Sequence, residues 1–201
     1  MATRGFSGKG RPTDTSLRLP PGQFVTEDFP VLSAGPTPRI ALEAWRFTLR
    51  VGPKPVKQWS WDEFNRLPIT TTTRDIHCVT KWSKFDTTWA GVSIDDVLAD
   101  AGVVPPTQYI LAHSVDGYST NVPTKDLVGG RGMVAVAYEG KPIPSEHGGP
   151  ARLLVPHLYF WKSAKWLNGL QFTDRDEAGF WELRGYHMYG DPWQEQRYSG
   201  D

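Results

Sequence analysis

Glycine and proline interrupt this chain so often that few regular segments can exceed about ten residues. There are 20 Gly and 17 Pro among 201 residues. Proline removes a backbone donor and glycine raises the entropy cost of regular structure, so a helical bundle is disfavoured. The apolar stretches left between these breaks are short: "YILAH" (109–113), "MVAVAY" (133–138) and "ARLLVP" (151–156). "RFTLRVG" (46–52) alternates Phe47, Leu49 and Val51 with Arg46, Thr48 and Arg50, the pattern of a half-buried strand.

Two segments carry helix signals. "SWDEFNRLP" has Ser60 as N-cap, Glu63 three residues on, and Pro68 as a stop, with Trp61, Phe64 and Leu67 as the apolar face. In "SIDDVLADAG" Ser93 caps, and Asp95 and Asp96 occupy the first turn, where the helix dipole favours negative charge. Ile94, Val97, Leu98 and Ala101 fall on one face, and Gly102 ends the helix. "EGKP" after Tyr138 and the Asn168–Gly169 pair have turn composition, the second leading into an alternating "LQFT". Short strands with a few short helices and no regular strand–helix alternation predict a β-rich α+β fold. Residues 1–38 show no sustained period. The expected organisation is a flexible arm over 1–20 followed by one domain over 21–201.

Lys plus Arg and Asp plus Glu are both 22, and this balance argues against a nucleic-acid binder. No apolar run approaches the ~18 residues of a membrane span, and no apolar signal segment follows the basic start. A single cysteine, Cys78, cannot form an internal disulfide. These features together predict a cytoplasmic protein.

Cys78 lies in "RDIHCVTKW". A lone cysteine is most often a small buried hydrophobe. A nucleophilic thiol, as in a thiol hydrolase, needs a base, and His77 next to it would point to the opposite face of a strand. His113, His147, His157 or His187 would have to approach through the fold. A Cys/His zinc site needs several ligands at paired spacings, which are absent. One thiolate is enough when an organic cofactor supplies the metal's other soft donors.

"CVTKWS", "TTWAGVSIDDVLADAG" and "HGGPARLLVPHLYFWKSAKWLNGLQF" resemble the oxidoreductase molybdopterin-binding domain of the sulfite oxidase family over roughly residues 20–201. The resemblance leans toward the bacterial methionine-sulfoxide reductase catalytic subunit branch. It implies a single sulfite-oxidase-type domain with mixed sheets, a molybdenum–molybdopterin cofactor, and Cys78 as the catalytic metal ligand. It also implies cofactor contacts from Ser114, His147, Arg152, Ser163, Ala164 and Lys165, and from Gln23, Thr26 and Glu27 in "PPGQFVTEDFP". Arg and Lys suit an anionic pterin phosphate, and backbone N–H groups around Ser163 and Ala164 suit its oxygens. Taken singly, Lys162 and Lys165 fit a solvated face equally well, and His147 fits a plain loop histidine.

Sulfite oxidase typically carries Ala-Gly-Asn-Arg-Arg after the metal cysteine, where this chain has Val79-Thr80-Lys81-Trp82-Ser83. Sulfite is therefore not the expected substrate, and the expected chemistry is oxygen-atom or two-electron transfer on a small molecule such as an S-oxide. The rival is a non-catalytic, aromatic-lined ligand-binding module. Arg74, Lys81 and Lys84 are candidates for an entrance attractive to anions. The tail residues Trp181, Tyr186, His187, Tyr189 and Trp193 are candidates for core packing or for walling that entrance. One cysteine cannot hold an iron–sulfur cluster, and neither a CxxCH nor a GxGxxG motif occurs, so a separate electron-transfer partner is expected.

Overall fold

The computed structural model describes residues 17–201. The expected flexible arm falls largely on residues 1–16, outside the described residues. The fold is built on two mixed sheets. One contains β1 (Phe24–Val25), β4 (Thr70–His77), β5 (Trp82–Ser93), β8 (Met133–Tyr138), β9 (Lys141–Pro142) and β10 (Arg152–Leu154). The other has the order β3 (Lys54–Ser60), β2 (Arg46–Val51), β11 (Leu167–Thr173), β6 (Tyr109–Ser114) and β7 (Ser119–Pro123). β1 pairs with β5, and β11 with β2, in parallel; the remaining pairings are antiparallel. This is the β-rich α+β architecture expected.

Both predicted helices form. α1 (Trp61–Phe64) carries the reciprocal capping box: Glu63 N–H donates to Ser60 Oγ and Ser60 N–H to Glu63 Oε2. It ends sooner than the apolar spacing suggests, and of its own residues Phe64 is the buried one. α2 (Ile94–Ala101) starts at Ser93, whose hydroxyl accepts from Asp96 N–H at 3.0 Å. It stops where Gly102 adopts φ 65°. Its apolar face joins Trp45, Phe47, Leu49, Leu170 and Phe172 in the main core.

One turn expectation is overturned. Asn168 and Gly169 lie inside β11, at a register irregularity, and not in a reversal of the chain. Gly169 is needed there for another reason: a Cβ at this position would sit 2.7 Å from the Thr48 carbonyl oxygen of β2. The "EGKP" turn is found as expected, with Glu139 and Gly140 both at positive φ between β8 and β9.

β5 carries the architecture to the site. Its first residues pair with β1, most of its length pairs with β4 across a tight reversal, and its last residues pair with β8. Cys78 sits in that β4–β5 reversal. A second apolar cluster gathers around it from Ile76, Trp82, Trp89, Leu154 and Phe160.

Candidate functional site

The reversal after His77 is only four residues long. Cys78 N–H donates to Trp82 O at 2.8 Å, and Lys81 N–H donates to Cys78 O at 3.0 Å with Lys81 at φ 77°. This leaves the Cys78 side chain 7% exposed on the wall of a cavity of about 310 Å³. Burial pushes the thiol pKa up, opposed by the Thr80 hydroxyl, which donates to Sγ at 3.2 Å. The thiol has no base: His77 Nδ1 is engaged with Ser83 Oγ at 2.8 Å, and no histidine among the described residues is hydrogen-bonded to Sγ. A thiol hydrolase is left without its general base. No group of three or more His, Cys, Asp or Glu among the described residues could hold a metal by themselves.

Arg152, at the start of β10, is 1% exposed. Its Nη1 donates to His147 O and its Nη2 to Ser163 O, each at 2.7 Å, and Nε has no partner. Desolvation lowers its pKa to about 9, and no carboxylate offsets it. The guanidinium also lies over the Phe160 ring at 4.0 Å, yet a buried cation held by carbonyl oxygens and ring faces is unfinished without an anion. Lys165 faces the same cavity. Its Nζ donates to Leu32 O, Ser33 Oγ and Glu146 O, and burial followed by repulsion from Arg152 lowers its pKa to about 8. Ser163 Oγ accepts from Val155 N–H at 2.9 Å, fixing the turn between these two cations. The N–H groups of Ala164 and Lys165 donate to no acceptor among the described residues.

His147 is 9% exposed, with its ring stacked on Phe29 at 3.9 Å and Nδ1 unpartnered. Desolvation, then Lys165 and Arg152, lower its pKa and keep it neutral. Trp82 Nε1 is likewise buried without a partner. Three of the six buried side-chain polar atoms that lack a partner among the described residues thus belong to walls of this one cavity, on Trp82, His147 and Arg152.

Of the residues expected around the cofactor, Cys78, His147, Arg152, Ser163, Ala164 and Lys165 share the cavity wall. Ser114 is not part of that wall, although its buried hydroxyl is also unpartnered. Gln23, Thr26 and Glu27 lie beside the cysteine loop and off the wall: Gln23 Nε2 donates to Cys78 O, Thr26 Oγ1 accepts from Asp28 N–H, and Glu27 O accepts from Lys84 Nζ. The N-terminal segment reaches the cavity further along, through Phe29, Pro30, Leu32 and Ser33.

Four more aromatic residues line the cavity: Trp161, Trp181, Tyr186 and Tyr118. Tyr186 packs edge-on against Trp161 at 5.1 Å and tilted against Trp181 at 4.9 Å, and Tyr118 OH donates to Trp161 O. Trp181 and Tyr186 are the two tail aromatics that reach the cavity; His187, Tyr189 and Trp193 do not line it. Arg74, Lys81 and Lys84 are also absent from its walls. Lys162 is no surface residue. It is fully buried, with Nζ 2.6 Å from Glu182 Oε1, and that oxygen also accepts from Trp161 Nε1. Phe29 and Asp116 were not singled out from the sequence, because chain reversals far apart in sequence bring them to the cavity; Trp82 lies within the quoted cysteine motif, but its place on the wall was not foreseen.

A thiol, an uncompensated guanidinium and unused donors around one cavity match what a metal-bearing, phosphate-bearing planar cofactor requires. The oxidoreductase molybdopterin binding domain matches residues 34–181 of this chain. The chain belongs to that family. It is 43% identical over 197 residues to the uncharacterized oxidoreductase YuiH of Bacillus subtilis (strain 168), covering 98% of this chain and 100% of that one. The putative protein-methionine-sulfoxide reductase subunit YedZ1 of Azospira oryzae is 29% identical, over 66% of this chain and 50% of its own length. Among solved structures, the sulfane dehydrogenase SoxCD of Paracoccus pantotrophus has the same fold, with TM-score 0.60 and 23% identity over 69% of this chain and 40% of that one.

The resemblance read from the sequence therefore holds for family and fold, and the protein is an oxidoreductase whose family binds molybdopterin. Nothing supports the rival of a non-catalytic binding module. No helix among the described residues is long and apolar enough to cross a membrane.

Proposed function

We propose that the protein is a molybdenum–pterin oxidoreductase acting on a small neutral substrate, an S-oxide being the best fit. The observation that carries this is a single cavity joining the buried Cys78 thiol, the uncompensated Arg152 cation and an aromatic wall. When bound, the cofactor supplies a metal that exchanges two electrons with substrate.

The rest is the work of the protein. Cys78 gives up its proton on coordination and becomes the one soft ligand from the chain. Arg152, Lys165 and the free N–H groups of Ala164 and Lys165 hold the phosphate, with charge-assisted bonds that are strong because the site is dry. His147 and Trp82, with Ser114 close to the site, offer neutral hydrogen bonds to the pterin's polar edge. Gln23, Thr26 and Glu27, which lie beside the cysteine loop and off the cavity wall, are assigned no contact with the cofactor. Trp161, Trp181 and Tyr186 exclude water and give a sulfur substituent favourable sulfur–aromatic contact.

The substrate class follows from charge. The cavity's two cations, Arg152 and Lys165, are taken up by the cofactor phosphate in this reading, and Asp116 adds a carboxylate at the wall. No other arginine among the described residues lines the cavity to take an anion such as sulfite, so a neutral oxide is favoured. A relative named for protein-methionine-sulfoxide reduction agrees with this choice. Electrons arrive from or leave to a separate protein, since one cysteine cannot support an iron–sulfur cluster.

Metal analysis of protein made in a cofactor-competent host tests the proposal. About one molybdenum per chain is expected, most of it lost in Cys78→Ser, because a neutral hydroxyl is a poor ligand for a soft metal site. The loaded protein should reduce S-oxides with an artificial electron donor and act poorly on sulfite. Zinc, or no metal, overturns the assignment.

A further inference from the structure

Gln23 stands out among the residues near the cavity because both ends of its amide are engaged inside the protein. The "PPGQ" segment delivers it: Gln23 N–H closes a turn onto Pro20 O at 3.2 Å, with Gly22 at φ 67° in the position that demands a positive angle. Arg197, from the far end of the chain, holds the same turn by donating to Pro21 O. Beyond the turn, Phe24 N–H donates to Lys81 O and Thr26 N–H to Ser83 O, so β1 locks directly onto the end of the cysteine loop.

The side chain, 9% exposed, then bridges both ends of that loop. Gln23 Nε2 donates to Cys78 O at 3.1 Å, and Gln23 Oε1 accepts from Ser83 Oγ at 3.2 Å. Cys78 O thus accepts twice, from Lys81 N–H within the loop and from Gln23 outside it. Trp82, His147 and Arg152 on the cavity wall keep unused polar atoms; Gln23 is off that wall and both ends of its amide are engaged.

The geometry points to Gln23 as a positioning residue for Cys78: it clamps the 78–83 loop, setting the direction of the thiol, and does not itself hold the cofactor. This rests on Cys78 as metal ligand and revises the role of Gln23 within that site. One amide bond ties the Cys78 carbonyl and the other ties Ser83, so a segment 55 residues away adds an outside anchor to the bonds the loop makes within itself.

The test uses full-length protein made in a molybdenum-cofactor-competent host. Gln23→Leu removes both bonds. Gln23→Glu, nearly the same shape, keeps the acceptor for Ser83 and removes the donor to Cys78. Pterin and molybdenum per chain, the thiolate-to-metal absorption band and the redox midpoint are measured for each. Expected are metal and pterin within about twofold of wild type in both variants, with a displaced band and midpoint in both.

A several-fold loss of pterin with an unchanged band in the loaded fraction makes Gln23 a cofactor ligand and overturns the inference. So does a lowered melting temperature with band and midpoint unmoved. A wild-type protein without molybdenum defeats the proposed function separately. Alkylation of Cys78, the only thiol, then decides: several-fold faster labelling in both variants supports the clamp, and equal rates refute it.

Discussion

Arg152→Met separates a binding role from a structural one. Methionine fills much of the same space without the charge. Bringing a guanidinium from its ordinary value above about 12 down to about 9 corresponds to about 4–5 kcal/mol against the charged, buried form. The substitution removes that cost. It also loses two charge-assisted bonds, to His147 O and Ser163 O, together about 3–6 kcal/mol. The two nearly cancel, so cofactor-free Arg152→Met should lie within about 2 kcal/mol of wild type. For a chain of this size that is a melting shift of no more than about 8 °C.

Cofactor retention should fall much further, by roughly one to two decades, because the lost phosphate contact has no substitute. The pH dependence carries a sign. Below about 9 the folded and unfolded chains both hold the guanidinium proton, and the burial cost is complete. Above about 9 the folded chain releases that proton while the unfolded chain keeps it. The stability of cofactor-free wild type should therefore rise relative to that of Arg152→Met as pH increases past about 9. Melting curves of cofactor-free protein and pterin released on dilution are the assays. A melting loss beyond about 10 °C, or unchanged retention, would refute the picture of a cation kept for an anion.

Lys162→Met should cost about 3–5 kcal/mol by stranding the fully buried Glu182 carboxylate; Lys162→Met with Glu182→Gln should recover most of it, read as urea midpoints, and additive losses would deny the coupling. Gly91→Ala should lower stability by more than about 2 kcal/mol, because its Cβ would meet Val134 O at 2.2 Å and Ala135 Cα at 2.6 Å, both backbone atoms of β8. An unmoved thermal transition would contradict the close β5–β8 approach.

Much of this protein was written locally. Ser60 with Glu63, and Ser93 with Gly102, fix helix ends through bonds spanning a few residues, so their signals survive in the sequence alone. The order of Cys78, Arg152 and Lys165 was legible because each sits in a distinctive short motif. Asn168–Gly169 misled because turn composition does not reveal an approaching strand, and it is Thr48 O, over a hundred residues away, that requires the glycine. Lys162 looked like a surface charge until the fold set Glu182 against it. The same holds for Phe29 on His147, and for Gln23 on the cysteine loop. Sequence determines what a few neighbouring residues can satisfy among themselves. Burial, the stranded charge of Arg152 and the closing of one cavity from both ends of the chain depend on long-range packing, and only the tertiary structure decides them.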